Sequence, residues 1–286
     1  MEKKKNKNYF DERRSRQFRT YFQFSMIGLC FVLVFTLFNA CQRMRSGGGL
    51  DPDDVDLIQY RLPEDSAPVV VFETDEGEFA AVLYPDEAPE FVKYFTGLVN
   101  DGYYDGTYVF AVQEVVYFMG GSKTPDGTDN EKTDKTQLEP ELHKNLWPFK
   151  GSLISYGDKG GTVFNQRIMA GSRILFVDSV EFTDEFKEEL DSAGGNSELV
   201  EAFKTKGGIP NFSQQYTIFG QVYDGLNIYD EICRTEVANE ENLRPAKDII
   251  ITKAYMTTYG ERRNDSFFSL DNVTIDQADK STTDSE

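Results

Sequence analysis

The chain is poor in the residues that carry metal and nucleophilic chemistry: 286 residues include one histidine, His143, and three cysteines, Cys30, Cys41 and Cys233. No Cys/His cluster can be assembled from that set, which removes zinc-type sites and Ser-His or Cys-His catalysis. Cys30 and Cys41 lie in or beside an apolar N-terminal stretch, so only Cys233 belongs to the body, and no disulfide can form within it. No metal and no cofactor is expected.

Positive charge is scarce over most of the length. The formal net charge is −19; residues 1–45 hold ten Lys/Arg against Glu2, Asp11 and Glu12, a net of +7, which leaves −26 for residues 46–286. A body this acidic is repelled by phosphate backbones, so nucleic acid is not expected as a partner. Solubility is the plain reading of the charge; an acidic surface that recruits basic clients is the other. A hydrophobic content of 39%, with 14% aromatics, is ample for a packed interior and excludes wholesale disorder.

Residues 24–40, FSMIGLCFVLVFTLFNA, are uncharged and mostly apolar, and the run extends upstream to Tyr21. Such a length matches the roughly 20 residues a helix needs to cross a bilayer. Lys3, Lys4, Lys5, Lys7, Arg13, Arg14, Arg16 and Arg19 precede it, and the positive-inside rule keeps that flank in the cytoplasm. The segment ends in Leu37-Phe38-Asn39-Ala40-Cys41, which resembles a degenerate bacterial lipoprotein signal with Cys41 as the lipidated residue. An uncleaved single-pass anchor, a lipid anchor and release into the medium all put the body outside the cytoplasm. The boundaries read from this pattern are 1–23 for a basic cytoplasmic segment, 24–41 for a transmembrane anchor or lipoprotein signal, and 42–68 for a Gly-, Pro- and Asp-rich linker.

From residue 69 the pattern changes. VVVFETDEGEFAAVLY, 69–84, has two apolar runs around Thr74-Asp75-Glu76-Gly77 and predicts a β-hairpin. APEFVKYFTGLVN, 88–100, places Phe91, Val92, Phe95, Leu98 and Val99 on one helical face, with Gly102 as its stop. GTYVFAVQEVVYFMGG, 106–121, is β-branched and aromatic, and shorter β-like runs recur at 151–156, 173–178, 216–222 and 248–256. Helical periodicity returns at 184–190 and 197–206, an insertion of about 184–206, and again at 227–233. The spacing predicts a mainly β sandwich or barrel with added helices, and a polar tail from 258 to 286.

These segments, in this order, resemble a cyclophilin-type peptidyl-prolyl cis-trans isomerase. Residues 84–89, YPDEAP, are similar to the family's "LYPDKAPKTVENF", and 102–107, GYYDGT, match its "GYYDGT". Residues 149–153 correspond to "FRGALSM", 170–172 to "NGS", 216–220 to "HTVFG" and 224–226 to "EGM". The resemblance spans 69–257. It implies a closed eight-stranded antiparallel barrel capped by two helices, with a peptide groove on the barrel's outer face, because side chains fill the interior.

Rotation about an X–Pro bond faces a barrier of roughly 18–20 kcal/mol, since amide resonance must be broken. The family assigns the arginine of "FHRV" to the prolyl nitrogen, with a glutamine before "GG" and aromatics lining the groove. Residues 106–121 align without a gap to "GTIFHRVIPGFMIQGG". Ala111 then falls at the arginine, Phe110 at the histidine before it, Val116 and Tyr117 at the "FM" pair, and Met119 at the glutamine. Arg173 falls at the glutamine of "SQFF", with Ile174 and Leu175 at the two phenylalanines, which thins the aromatic wall of the proline pocket. Phe212 sits in the "WL" pair and Tyr216 at the histidine. No catalytic residue can be named with the arginine missing. The groove expected from the resemblance is Phe110, Ala111, Val116, Tyr117, Met119, Arg173, Leu175, Phe212 and Tyr216, made wider and more apolar by the loss of the guanidinium. Two functions follow: a module that binds proline-containing or extended peptides of exported or cell-envelope proteins with weak or no isomerase activity, or an active isomerase assisting the folding of exported proteins. Substitution by Arg173 or Arg167 is the route to the second.

Overall fold

The computed structural model describes residues 55–128, 137–162, 165–193, 196–239 and 241–268. The anchor segment 24–41, Cys41 and the linker up to residue 54 lie outside them. Among the described residues no helix is long and apolar enough to cross a membrane.

The hairpin forms as predicted, β1 Pro68–Thr74 with β2 Gly77–Leu83. Helix α1, Pro89–Asn100, buries Phe91, Val92, Phe95 and Val99. Its N-cap position is Ala88, which has no side-chain acceptor, and the loss is made good from elsewhere. The carboxylate of Glu141 accepts from the amides of Glu90 at 3.2 Å and Phe91 at 2.8 Å, a negative charge on the positive end of the helix. At the other end Gly102, at φ +69°, lets Tyr103 N–H reach Leu98 O while its own N–H reaches Val99 O. That pair of bonds is a glycine-dependent helix stop.

The strands that follow are β3 Thr107–Gln113, β4 Tyr117–Ser122, β5 Ser152–Tyr156, β6 Lys159–Thr162, β7 Asn165–Ile168 and β8 Arg173–Val177. Helices α2 Asp184–Ala193 and α3 Ser197–Lys206 occupy the insertion; then come β9 Ile218–Asp224, α4 Leu226–Cys233, β10 Val237–Asn239, β11 Arg244–Pro245 and β12 Ile249–Thr258. Eight strands close an antiparallel barrel in the order β1-β12-β3-β4-β8-β5-β9-β2, while β6-β7 and β10-β11 are separate ribbons.

Aromatic side chains fill the barrel. Phe72, Phe79, Phe118 and Phe176 are wholly buried in one cluster, with Phe118 and Phe176 stacked at 4.5 Å. Strand alternation sorts the rest. On β8, Ile174 and Phe176 point inward while Leu175 and Val177 join a second cluster on the outer face. On β3 the alternation breaks: Val109 and Val112 both face the core, and Phe110 and Ala111 both join the outer cluster, because the register with β4 slips between Val109 and Ala111. This is what a β-bulge does, aiming two successive side chains at one side.

Two segments read as non-globular prove to be part of the packed body. Residues 58–60 form a turn of 3₁₀ helix in the stretch assigned to the linker, and Gln59 is completely buried. Its amide nitrogen faces Trp147 O at 3.0 Å, Ser152 Oγ at 2.9 Å and Gln221 Oε1 at 3.0 Å, and its oxygen accepts from Trp147 N at 2.7 Å. Beyond β12, Tyr259 and Phe268 are buried against Tyr223, and Arg263 pairs with Asp65 across the two ends of the domain. Both segments carry many polar residues, so composition alone hid the few side chains that anchor them.

Candidate functional site

The slip in β3 builds the site. Ala111 is the direct cross-strand partner of Met119, Met119 of Leu175, and Leu175 of Ile154, so one row of four side chains crosses β3, β4, β8 and β5 on the outer face. All four belong to the outer cluster, and none has a hydrogen-bonding group other than the weak thioether. The floor is recessed: Ala111 and Met119 retain 6% and 9% of their surface. With alanine at 111, the floor at this point presents only apolar groups.

Around this floor the structure gathers the other predicted residues. Val116, Tyr117, Phe212 and Tyr216 are partly buried against the cluster, and Phe110 lies within it. Arg173 reaches it from the end of β8. Its guanidinium carbon lies 4.9 Å from the Phe110 ring centroid, and its Nη2 donates to Gly127 O at 2.8 Å. Gly127, at φ +72°, lies so close that a Cβ there would be 2.5 Å from Phe110 Cδ2. Arg173 thus lies over the side chain next to Ala111. Arg167, the other arginine considered, pairs with Glu139 at 2.8 Å on the β6-β7 ribbon.

The expectation that Ile174 belongs to the proline pocket is corrected: it is wholly buried in the barrel interior, so only Leu175 of that pair reaches the outer face. The wall has an aromatic that the sequence reading missed. Tyr156 closes β5 as the partner of Arg173, and its ring lies 6.4 Å from that of Tyr216. Phe212 continues the wall at 5.2 Å from Tyr216 and 6.4 Å from Tyr117. A tyrosine ending the β-like run SLISY was the available signal. Ile154, Leu146, Ile209 and Ile218 were also missed, being ordinary aliphatics until the fold puts them together.

Burial raises the phenols of Tyr117 and Tyr216 above their ordinary pKa, and the nearby Tyr156 raises both further. These groups stay protonated at neutral pH. The nucleophile candidates stand apart: the Cys233 thiol is buried and pushed well up by that burial, and His143 accepts from the Asn145 amide through Nδ1 at 3.3 Å. Among the described residues no group of His, Cys, Asp and Glu could hold a metal ion.

The closed eight-stranded antiparallel barrel thus carries an apolar, aromatic-walled floor on its outer face. Residues 69–256 match the family model of cyclophilin type peptidyl-prolyl cis-trans isomerases, and the chain belongs to that family. A Staphylococcus aureus protein proposed to be a peptidyl-prolyl cis-trans isomerase is 29% identical over 182 residues, 64% of this chain and 88% of its own. A Streptococcus pyogenes protein proposed to be a bifunctional phosphatase and peptidyl-prolyl cis-trans isomerase is 28% identical over 206 residues. Its match covers 71% of this chain and 42% of that protein, under half its length. Among solved structures, a Cryptosporidium parvum cyclophilin type peptidyl-prolyl cis-trans isomerase superposes with a TM-score of 0.51 at 18% identity, over 67% of this chain and 98% of its own.

Proposed function

We propose that this chain is a membrane-tethered cyclophilin that binds proline-containing or extended peptide segments of exported or cell-envelope proteins, with weak prolyl isomerisation. The observation that carries the reading is the Ala111–Met119 pair: a methyl and a thioether face each other where the family pattern has a guanidinium and an amide. Stabilising a twisted X–Pro bond needs a hydrogen-bond donor at the prolyl nitrogen, and neither group donates. Binding needs only an apolar floor, aromatic walls and a few polar contacts, which the floor row, Phe212 and the three tyrosines supply. The tether rests on the basic flank followed by a bilayer-length apolar run.

One observation favours an active isomerase. The Arg173 guanidinium over Phe110 keeps a strong donor beside the floor. The two readings part in one measurement, the rate of X–Pro interconversion catalysed by the full-length chain, run beside an active cyclophilin. The binding reading expects kcat/KM at least about a hundredfold lower, the effect of losing one preorganised donor. A value within about tenfold of the active relative assigns the donor's role to Arg173. Protease added to intact protoplasts tests the tether: the folded body should be digested from outside.

A further inference from the structure

The aromatic wall carries three hydroxyls that no group of the protein holds. Tyr117 on β4, Tyr156 at the end of β5 and Tyr216 just before β9 come from three separate segments and line the same cluster, partly buried. Tyr156 and Tyr216 lie nearly parallel, 25° between planes, and Phe212 fills the space between Tyr216 and Tyr117. Several other tyrosine hydroxyls of this fold are tied down, Tyr104 donating to Ser172 O, Tyr223 to Arg262 O and Tyr229 to Val177 O, while those of Tyr60 and Tyr84 are buried without a partner and out of reach of a ligand. Among the described residues those of Tyr117, Tyr156 and Tyr216 have no such partner. Burial and mutual proximity keep Tyr117 and Tyr216 protonated, so they are donors at physiological pH. Arg173, the cross-strand partner of Tyr156, is donor-only as well.

A wall of donors over an apolar floor calls for a ligand that presents an acceptor oxygen beside apolar surface. Carboxylates and phosphates have such oxygens, but the net charge of −26 on residues 46–286 opposes an anion. A neutral amide carbonyl meets no such penalty. We propose that Tyr117, Tyr156 and Tyr216 form a hydroxyl site that holds a main-chain carbonyl oxygen of a peptide lying against the partly buried rings of Tyr117, Phe212 and Tyr216. The site rests on the peptide-binding reading and gives it a mode. Resonance places negative charge on the carbonyl oxygen of a planar amide, and twisting the C–N bond withdraws it. Donors on that oxygen favour the planar state over the twisted one, so they add affinity without lowering the barrier.

The test uses the full-length chain, a blocked and uncharged acetyl-Ala-Ala-Pro-Ala-amide peptide with an isotope-labelled carbonyl, and Tyr→Phe changes at 117, 156 and 216, singly and together. Each change keeps the ring and removes only an oxygen without a protein partner, so thermal stability should hold. The triple variant should bind the peptide at least about tenfold more weakly, the equivalent of roughly one neutral hydrogen bond. The labelled carbonyl stretch should move to lower frequency on binding the native chain and stay near its free position with the triple variant. Binding by the triple variant within about twofold of native overturns the hydroxyl site while leaving the peptide-binding reading intact. A hydroxyl dependence seen only when the peptide carries a free carboxylate overturns it in favour of an anion site. Failure of the native chain to bind any of these peptides overturns the peptide-binding reading and the site with it.

Discussion

Ala111 on β3 and Met119 on β4 are direct antiparallel partners on the outer face of the barrel, and each is more than nine-tenths buried. Their contact removes both polar groups the family pattern places at the centre of the groove. Restoring them with Ala111→Arg and Met119→Gln together should raise isomerase activity, and Ala111→Arg alone should raise it less, since the amide is needed to hold the new guanidinium. The gain should fall short of the 10²–10³ that one donor typically supplies, because Leu175 leaves the proline ring loosely held. Progress curves for X–Pro interconversion measure this; no gain in the double variant would mean that the missing donor is not what limits the rate.

Gln59 should be a stability determinant although it lies in a stretch that reads as linker. Gln59→Ala strands the buried Trp147 amide and removes the contacts to Trp147 O, Ser152 and Gln221. An orphaned buried polar group costs about 1–3 kcal/mol, so urea midpoints should drop accordingly. A fragment starting at residue 61 should lose at least as much. Unchanged midpoints would show that this segment is not part of the cooperative unit.

Val115 has φ +61° and is 45% exposed, a left-handed conformation on a β-branched residue in the β3-β4 turn. The family pattern has glycine at the aligned position. That conformation costs an L-residue roughly 1–2 kcal/mol, so Val115→Gly should stabilise by about 1 kcal/mol even after glycine's larger unfolded-state entropy. Calorimetry decides; a loss of stability would mean that the exposed isopropyl group packs against something that outweighs the strain.

Alkaline pH should unfold the domain earlier than its surface charge suggests. Burial pushes the Cys233 thiol above its ordinary 9.0 and the phenols of Tyr60, Tyr84 and Tyr229 above their ordinary 10.0. A folded-state pKa raised above the unfolded value gives stability that is whole below the unfolded value and is lost as pH climbs past it. Thermal midpoints should therefore fall from about pH 9 upward, with the phenolate absorbance of the three buried tyrosines appearing only on unfolding. Phenolate signal from the full tyrosine complement in a still-folded domain would contradict this.

Much of the fold was legible because its signals are local. Thr74-Asp75-Glu76-Gly77 between apolar runs specifies a hairpin, the spacing of Phe91, Val92, Phe95 and Val99 specifies a helix face, and Gly102 specifies its stop. The remote supports were not legible: Glu141 caps a helix fifty residues before it, and Gln59 bonds to residues 88 to 162 positions away. A polar residue looks the same in a sequence whether it ends in water or in a buried network.

For the site the division is similar. The family pattern alone identified the substitution of Ala111 and Met119 and grouped eight of the nine predicted residues that share one outer cluster, because those positions are tied to short ordered motifs. Arg173 joins them only through space, over Phe110. The direction of Ile174 and the membership of Tyr156 were decided by tertiary structure. Each depends on the phase of alternation along a strand, and on β3 two register shifts against β4, at Tyr108/Val109 and at Val109/Ala111, reset that phase. The sequence by itself determined which chemical groups the groove lacks. Only the closure of the barrel, which sets every strand's inward face at once, decided which side chains stand around the gap.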